Sequence, residues 1–477
     1  MLSAPHVAWG ADADATANVN ITTAATTTAT VPPTGDFDFG ALRTREFARL
    51  DARGHAYLDY AATALYGASQ LRAHHALLAD GVFGNPHSES APSRHSAAAI
   101  DRARRQVLGW FDVDDATHDV CFTANASAAI KLVAESYPFG PRAALVVAAD
   151  NHNSVNGMRE YARRAGAAMH VLPLDAALRL DDPAPRLADH AAHGGGLVAL
   201  PAQSNFSGVC HPLALVARAR ALGFDVLLDA AAFAASSPLS LRTCPADFAV
   251  LSFHKLFGYP TSVGALIARR DALARLRRPW FAGGTVTFAS VGADLHRLHR
   301  DHEGFEDGTA DFLGIAALAP GFALLGEVGL PRLAAHVARL TRLLLDELAA
   351  LHHRNGAPLV RFYGPTGTQG RGGTVALNVC DARGQPIPYT AVEARARAAG
   401  VALRGGCFCN PGAAEAAFGL DPPALAACLA ASGDEFSLTR LAACLGRPVG
   451  AVRLSLGLAN HRADVERAVA VVASFAA

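Results

Sequence analysis

The chain has 477 residues, with 42 basic and 42 acidic side chains, 51% hydrophobic residues and 18% charged residues. This size and composition are typical of a globular enzyme with a substantial core, and they exclude a disordered or fibrous chain. The balanced charge leaves no basic stripe for nucleic acid or an anionic membrane surface, and no apolar run is long enough to span a bilayer. We therefore expect neither nucleic acid nor a membrane as a partner.

Residues 1–40 are rich in Ala and Thr and carry no Lys or Arg, which is typical of a disordered tail. Periodic structure begins near Tyr57, and residues 93–111 form a predicted helix with one apolar face. Short apolar strands follow at 120–123, 144–148, 169–172, 197–200, 226–229, 248–252 and 263–268. After about residue 310 come two long helical patterns and two further strands, near 375–379 and 452–455.

Continuous apolar strands separated by helices predict an α/β fold, with a mostly parallel sheet covered by helices on both faces. We assign the tail to residues 1–40 and a large domain with an N-terminal arm to residues 41–300. A smaller C-terminal α+β domain takes residues 301–477.

The eight cysteines are scattered, apart from Cys407 and Cys409. They indicate neither a disulfide framework nor a four-cysteine zinc site, so we expect no metal. A reducing cytoplasm is the location that this pattern predicts.

The chain contains only two lysines, Lys131 and Lys255, beside 40 arginines. Because arginine cannot lose its proton, a retained lysine points to amine chemistry. Lys131 falls in an amphipathic helix and is expected at the surface. Lys255 follows a strand in the near-apolar run 252–258, where an ammonium group is costly unless it is used or solvated. The alternative for Lys255 is a surface lysine whose stem is covered.

Other candidate residues lie where strands end, which is where ligands bind in open parallel sheets. Asp229 ends a strand, and its carboxylate suits a protonated pyridine nitrogen; the alternative is a cap for the next segment. Residues 123–127 join a strand to a helix. Backbone N–H groups there, from Ala126 onward, and the Ser127 hydroxyl suit a phosphate, although Ser is also an ordinary helix cap.

Cys407 and Cys409 follow Arg404 in a glycine-rich loop, a setting that favours a thiolate nucleophile. The alternatives are half of a metal site or an inert buried thiol. The metal alternative is poor, because no second Cys or His pair lies at ligand spacing. Arg453, beside a late strand, suits a bidentate clamp on a carboxylate, or else a surface ion pair.

The order of these segments resembles the class V aminotransferase group of fold-type I pyridoxal-phosphate (PLP) enzymes, and more narrowly the cysteine desulfurases. The resemblance is closest to the NifS-like domain of molybdenum cofactor sulfurases. It is carried by residues 57–66, 84–88, 203–208, 228–233, 252–261, 283–285, 404–412 and 446–457. The strings Gln203-Ser-Asn-Phe-Ser-Gly208 and Cys407-Phe-Cys-Asn-Pro-Gly412 are the most specific to the sulfurase branch. Two residues depart from the wider desulfurase pattern. Ala232 stands where many desulfurases have Gln or His, and Gly405 replaces a usual Thr.

The resemblance implies a PLP cofactor and a role for each matching residue. Lys255 would form the Schiff base, Asp229 would bind the pyridine nitrogen, Asn205 the ring hydroxyl, and Ala126, Ser127, Ser252 and His254 the phosphate. Thr285 would reach the phosphate of a neighbouring subunit, which implies a homodimer with shared active sites. His152, chosen over Asn151, would stack on the ring.

The same resemblance implies that Arg453, helped by Arg404, binds the carboxylate of a small amino acid. Cys409 would carry a persulfide, with Cys407 as its neighbour. The expected activity is a cysteine desulfurase that turns L-cysteine into L-alanine and passes sulfur to an acceptor that the sequence does not name. A PLP C–S lyase or another class V activity would share Lys255, Asp229 and Arg453 without needing Cys409. A catalytically retired scaffold is disfavoured because these residues occur together.

Overall fold

The computed structural model describes residues 37–192, 194–447 and 449–477. The predicted tail lies outside this part of the chain up to residue 36. Its last residues are already structured, because the first helix is Phe39–Glu46 and Asp38 accepts a hydrogen bond from the Ala41 N–H at 2.9 Å. The prediction that residues 1–40 form a disordered tail is therefore wrong for residues 39 and 40, which begin this helix.

A seven-stranded sheet forms the centre of the molecule. Its strands lie in the spatial order His118–Thr123, Gly264–Arg269, Phe248–Ser252, Phe224–Asp229, Gly196–Pro201, Ala144–Ala148 and Ala168–Leu172. The strand Gly264–Arg269 runs antiparallel to the other six strands of this sheet, which all point the same way. The prediction of a mostly parallel sheet is confirmed, and each predicted strand end lies within two residues of the observed one.

Both faces of this sheet are buried, which explains why its strands are continuously apolar. In the strand Ala144–Ala148, Val146 and Ala148 join one hydrophobic cluster, whereas Leu145 and Val147 join a second cluster on the opposite face. Successive side chains of a strand point to opposite faces, so a strand covered on both sides has no position for polar residues.

Helices of very different length cover the sheet and continue into the C-terminal part. They are Phe39–Glu46, Ala48–Ala52, Ala68–Asp80, Ala91–Trp110, Ala126–Ser136, Asn153–Asn156, Met158–Arg164, Pro183–Ala191, Ala214–Ala221, Phe253–Phe257, Arg270–Leu273, Phe312–Ala316, Leu318–Val328, Leu330–Ala349, Tyr389–Ala398, Pro411–Phe418, Pro422–Ser432, Leu438–Leu445 and Arg462–Ala473, with a 3₁₀ turn at His302–Phe305. The helix predicted at 93–111 begins two residues earlier, because Ser90 caps it and Pro92 occupies its first turn.

A second sheet of four antiparallel strands belongs to the C-terminal part, in the order Val360–Tyr363, Thr374–Val379, Ala451–Ser455 and Arg404–Gly406. The expected α+β character of this part is confirmed. Two short pairs complete the strands of the described residues: Ala56–Tyr57 beside Val401–Ala402, and the hairpin Val286–Ser290 with Leu295–Leu298. The domain boundary near residue 300 stays a prediction.

The cysteine pattern differs from the prediction at one pair. Cys428 and Cys444 form a disulfide that joins the helices Pro422–Ser432 and Leu438–Leu445. The sequence signal was absent because the turn between two helices, and not a recognisable spacing, brings these thiols together. The other six cysteines are free.

Within the described ranges, no single helix is long and apolar enough to cross a bilayer. Only the bent pair Phe312–Val328 and Leu330–Ala349 reaches that length and apolarity when the two are taken together. Leu318, Phe322 and Leu344 from these two helices belong to the main hydrophobic cluster of the protein.

A buried ion pair joins the first and last helices. The Arg43 guanidinium donates to Asp464 at 2.7 Å, and both side chains are almost fully buried. Arg43 also pairs with Asp51, so one cation serves two carboxylates. Removing one partner of a buried pair leaves the other charge without compensation.

Replacing Arg43 by Met is expected to lower the free energy of unfolding by about 3 kcal/mol, because it strands the buried Asp464 carboxylate. Urea unfolding followed by circular dichroism measures this loss. Arg462→Met is the matched control, since Arg462 forms an exposed pair with Glu466 on the same helix as Asp464. That control should lose less than about 1 kcal/mol. Equal losses in the two variants would contradict the role given to the buried pair.

Candidate active site

A cavity of about 270 Å³ opens at the carboxyl ends of the parallel strands. All but one of the residues predicted to contact the cofactor line it. They are Ala126, Ser127, His152, Asn205, Asp229, Ser252, His254 and Lys255. The exception is Thr285, which does not line this cavity. The sheet topology explains the convergence, because parallel strands deliver their final residues to one edge.

Lys255 lies in the short helix Phe253–Phe257, directly after a central strand. Burial lowers the pKa of Lys255 below its usual value because it disfavours the charged form, and Arg453 adds to this effect, whereas Asp229 opposes it. Lys131 contrasts with it, since its side chain is exposed and donates to Glu135 at 2.7 Å. The structure thus places Lys255 in the cavity and Lys131 at the surface.

Asp229 ends the strand Phe224–Asp229 and accepts a hydrogen bond from the Ala231 N–H at 3.0 Å. It therefore caps the following turn and also lines the cavity, so the two alternatives for this residue are compatible. A carboxylate in this position suits a protonated ring nitrogen.

One end of the cavity is suited to an anion. The helix Ala126–Ser136 begins there, and Asn125 caps it by accepting from the Ala128 N–H at 3.0 Å. Gly264 lets this helix approach the sheet closely, because a Cβ at that position would lie 2.4 Å from the Asn125 backbone carbon. The positive end of a helix attracts phosphate and similar groups.

The polar groups at this end leave donors for such a ligand. The Ala126 N–H donates to the Ser252 hydroxyl at 2.9 Å. Because the Ser252 oxygen accepts this bond, its own proton remains free to be donated to a ligand. Ser127 and Ser154 share a hydrogen bond of 2.6 Å. The buried Nδ1 atom of His254 has no hydrogen-bond partner within the described residues. An orphaned buried nitrogen beside a helix start is the pattern expected where an absent anionic group binds.

His152 lines the cavity and caps the turn Asn153–Asn156, with Nδ1 accepting from the Ser154 N–H at 3.1 Å. Its pKa is lowered, mainly because it is buried and also because Lys255 is near. Asn151 is fully buried and donates to the carbonyls of Ala148 and Ala199, away from the cavity. This placement favours His152 over Asn151 as the residue that faces a ring.

Arg404 and Arg453 lie opposite each other on neighbouring strands of the small sheet. Both donate to Asp59, Arg404 at 2.7 Å and Arg453 at 3.1 Å. Arg453 is almost fully buried, donates to the Asn205 carbonyl at 2.9 Å, and lies over the Phe408 ring at 4.8 Å. Two cations share one carboxylate, so the cluster keeps a net positive charge that suits a substrate carboxylate.

Sequence reasoning gave Asp59 no role, although it is the residue that holds both arginines. Its partners Arg404 and Arg453 are 345 and 394 residues away along the chain. An Asp near the start of a chain carries no local sign of such contacts. The antiparallel register of two later strands was the information needed to find it.

The loop that carries Cys409 has an unusual backbone. Phe408 and Cys409 have φ values of 57° and 55°, in the left-handed region that costs a non-glycine residue about 1–2 kcal/mol. Two hydrogen bonds hold this shape: the Asn153 N–H donates to the Cys409 carbonyl at 2.8 Å, and the Asn205 amide donates to the Phe408 carbonyl at 2.7 Å.

The two cysteines of this loop differ in accessibility. Cys409 is exposed, and it lies near enough to Lys255 and Arg453 to oppose, by a small contribution, the lowering of their pKa values that burial causes. Cys407 is half-buried, and burial raises its pKa to about 11. Cys409 is thus the thiol available for chemistry at the cavity, whereas Cys407 packs against two buried hydrophobic clusters, one with Phe206 and the other with Leu441.

Thr285 is fully buried outside the cavity wall. Its hydroxyl donates to the Ala282 carbonyl at 2.8 Å and accepts from the Ala282 N–H at 2.9 Å. The Thr285 hydroxyl thus makes both of these hydrogen bonds within its own chain, and the predicted contact with the phosphate of a neighbouring subunit stays a prediction.

The fold and this cavity define an α/β enzyme with a buried lysine at the carboxyl edge of a mostly parallel sheet. The chain belongs to the class V aminotransferase family, whose family model matches residues 56–468. The family predicted from the sequence is confirmed.

Curated relatives are similar over most of this chain. The molybdenum cofactor sulfurase of Anopheles gambiae is 39% identical over 453 residues, which cover 90% of this chain and 57% of that protein. The molybdenum cofactor sulfurase of Arabidopsis thaliana is 35% identical, with 93% of this chain and 59% of that protein covered. The chain spans less than two thirds of the length of these relatives.

Solved structures share the fold. The apo cysteine desulfurase of Thermococcus onnurineus NA1 has a TM-score of 0.73 at 23% identity, covering 91% of this chain and 97% of that one. The S-sulfonic acid form of a cysteine desulfurase from Escherichia coli has a TM-score of 0.71 at 23% identity, covering 92% and 99%. A cystine C–S lyase in complex with its reaction product cysteine persulfide has a TM-score of 0.68 at 18% identity, covering 91% and 100%. The fold predicted from the sequence, fold type I, is confirmed.

The lowered pKa of Lys255 predicts that the free energy of unfolding depends on pH. The protein is first treated with hydroxylamine, which removes any carbonyl compound bound to this amine. Between the lowered folded pKa and the unfolded value of about 10.4, the unfolded chain holds a proton that the folded chain lacks. Stability therefore rises with pH through this window. Lys255→Met should be more stable than the wild type at the acid end of the window, and its advantage should shrink as the pH rises.

Urea unfolding of both proteins across neutral and alkaline pH measures this difference. Lys131→Met is the control, because the pKa of Lys131 is raised by its hydrogen bond to Glu135. The raised pKa makes a small stabilising contribution that is fully present below the usual lysine pKa, so this control should show a small loss that does not vary over the same range. A pH-independent difference for Lys255→Met would contradict the lowered pKa.

Proposed function

We propose that the protein is a PLP-dependent cysteine desulfurase, which converts L-cysteine to L-alanine and carries the sulfur as a persulfide on Cys409. The observation that carries the proposal is the connection between an exposed thiol and the lysine cavity. The Cys409 loop is hydrogen-bonded to Asn205, which lines the same cavity as Lys255 and Asp229. The names of the curated sulfurase relatives support the same chemistry.

The cavity residues fit PLP. Ser252, with its free hydroxyl proton, the orphaned His254 nitrogen and the start of the helix at Ala126 and Ser127 would hold the phosphate. Asp229 would hold a proton on the pyridine nitrogen, Asn205 would donate to the ring hydroxyl and His152 would lie against the ring. When bound, PLP supplies a carbonyl for an amine and a pyridinium ring that accepts the electron pair released at the substrate Cα.

The residues of the chain then have distinct tasks. Arg453, with Arg404 beside it, would bind the substrate carboxylate through the positive charge that Asp59 leaves uncompensated. The lowered pKa of Lys255 favours its neutral amine. The neutral amine can accept the Cα proton of the substrate, which makes it an ammonium group, and can release that proton again. His152 is neutral at physiological pH because its pKa is also lowered.

Cys409 would complete the reaction as a nucleophile. Its thiolate attacks the sulfur of the substrate, an S–S bond forms, and the Cβ–S bond of the substrate breaks. The net change converts L-cysteine and the Cys409 thiol into L-alanine and the Cys409 persulfide. No external oxidant or reductant is required. The outer sulfur is then available to a nucleophilic acceptor, because the Cys409 side chain is exposed.

A C–S lyase is the second candidate, because a cystine C–S lyase shares this fold. Such an enzyme would use the Lys255 and Asp229 cavity and the carboxylate clamp, and it would release pyruvate and ammonia. It would have no use for an exposed thiol on the neighbouring loop. The placement of Cys409 therefore favours the desulfurase.

Incubation of the purified protein with L-cysteine and a thiol reductant is expected to yield alanine and sulfide. Cys409→Ser should lower the rate by at least about 100-fold, because a hydroxyl replaces the sulfur nucleophile. Cys407→Ser, the matched control on the same loop, should stay close to the wild-type rate. Lys255→Ala should form no alanine. Pyruvate as the product, or a Cys409→Ser variant as active as the wild type, would assign the protein to the lyase group.

We also propose a homodimer in which the segment that begins at Thr285 contributes to the partner's phosphate site. The hairpin Val286–Ser290 with Leu295–Leu298 pairs with no other strand in the described part of the chain. It and the residues before it expose apolar side chains, with Phe288 59% and Trp280 51% accessible. Exposed apolar side chains next to one another are typical of an interface.

Light scattering is expected to give a mass of about twice 49.5 kDa for the wild type. Phe288→Glu should shift the protein toward the monomer and reduce the bound cofactor, because a charge would enter the interface. Val171→Glu is the control, since Val171 is equally exposed on the edge strand Ala168–Leu172. A monomeric wild type, or a dimer unaffected by Phe288→Glu, would refute this arrangement.

The cytoplasm is our proposal for the location of the protein. Six of its eight cysteines are free, and the proposed reaction needs a reduced thiol at Cys409. The Cys428–Cys444 disulfide is the exception to this pattern.

A further inference from the structure

Asn410 directly follows Cys409, and its side chain is fully buried and fully hydrogen-bonded. Its Nδ2 atom donates to the Asp150 carbonyl at 2.7 Å and to Asn205 Oδ1 at 2.9 Å. Its Oδ1 atom accepts from the Ala413 N–H at 3.1 Å and so caps the helix Pro411–Phe418. One amide thus joins the Cys409 loop to two segments that form or adjoin the cavity wall.

The contacts with Asn410 and with the Phe408 carbonyl together decide which way the Asn205 amide faces. An Asn side chain can exchange its oxygen and nitrogen by a half-turn, and its hydrogen-bond network selects the orientation. Asn205 Oδ1 accepts from Asn410, so its Nδ2 supplies the protons. One of these protons goes to the Phe408 carbonyl at 2.7 Å. The other remains for a ligand in the cavity that Asn205 lines.

These contacts close a ring through the reactive loop. From Asn205 the ring runs through a hydrogen bond to the Phe408 carbonyl, along the backbone past Cys409 to Asn410, and back to Asn205. The ring includes Phe408 and Cys409, the two non-glycine residues of this loop whose φ values lie in the left-handed region. Such a conformation persists only where surrounding contacts hold it in place.

We propose that Asn410 is the positioning residue that couples the Cys409 thiol to the cofactor. It fixes Asn205 in the orientation that donates to the ring hydroxyl of PLP, and through the same ring of contacts it holds Cys409 in the conformation that presents its thiol. This inference deepens the proposed desulfurase function and rests on the cofactor and on the role of Cys409 given there.

Asn410→Ser separates the role of helix cap from the role of positioning residue. Serine keeps an oxygen that can cap the helix, but it loses the two hydrogen bonds that the Asn410 amide donates to Asp150 and Asn205. The measurement is the pH midpoint of the visible absorption of the purified holoenzyme, which responds to a hydrogen bond at the ring hydroxyl. The midpoint should shift by about half a pH unit or more. In an Asn205→Ala background the same substitution should cause no further shift, because its effect passes through Asn205.

Asn460→Ser is the matched control. Asn460 is also a buried amide that joins two segments, donating to the Tyr57 carbonyl and accepting from the Gly457 N–H, but it does not line the cavity. It should leave the midpoint unchanged. If Asn410→Ser does not load cofactor, Asn410→Asp, which keeps the size and the cap, carries the same expectation.

The loop is tested by a second readout on the same holoenzymes. The rate at which iodoacetamide alkylates Cys409, followed by peptide mass spectrometry, should change at least about threefold in Asn410→Ser and should not change in Asn460→Ser. A wild-type midpoint in Asn410→Ser, an equal shift in the Asn205→Ala background, an equal effect of Asn460→Ser, or an unaltered alkylation rate would overturn the proposal.

These readouts need no turnover, so they are independent of the product assay. If the wild type formed no alanine, the proposed function would fail while a midpoint shift could still be observed. If alanine forms and the shift is absent, only the role of Asn410 fails.

Discussion

The site depends on the way a single carboxylate, Asp59, organises two guanidinium groups in a largely dehydrated setting. Removing Arg453 from water is costly, and burial lowers its pKa in consequence. Asp59 offsets part of that cost and holds Arg404 beside it. A neutral residue in its place would leave two neighbouring cations to repel each other. One residue near the start of the described chain thus fixes the geometry of two arginines that lie more than 340 residues away along the sequence.

The parts of the structure that were predictable from the sequence are those with a local signal. The strands near 144–148 and 248–252 were predicted at their observed bounds, because burial on both faces makes a strand continuously apolar. The shared position of Lys255 and Asp229 at the cavity was also predictable, since Asp229 ends one strand, Lys255 follows the next, and the sheet topology brings strand ends together. Scarcity of lysine in an arginine-rich chain made Lys255 easier to recognise.

The parts that were missed arise from contacts between distant segments. Asp59, Asn410 and the Cys428–Cys444 disulfide each depend on a register or a turn that no short pattern encodes. The role proposed for Asn205 came from a family resemblance and not from its local sequence, and the same resemblance selected Cys409 from the two thiols of its loop. The backbone at Phe408 and Cys409 is a further example, because the left-handed conformation usually marks glycine, and neither residue is one.

That backbone places two demands on position 408. Glycine there would relieve the cost of the positive φ, which is about 1–2 kcal/mol. It would also remove a buried side chain that packs in a hydrophobic cluster and lies under Arg453, and losing a buried phenylalanine costs about 3–5 kcal/mol. The packing outweighs the strain, so selection for thermal resistance alone would keep an aromatic side chain here, and stability and a stiff reactive loop favour the same residue.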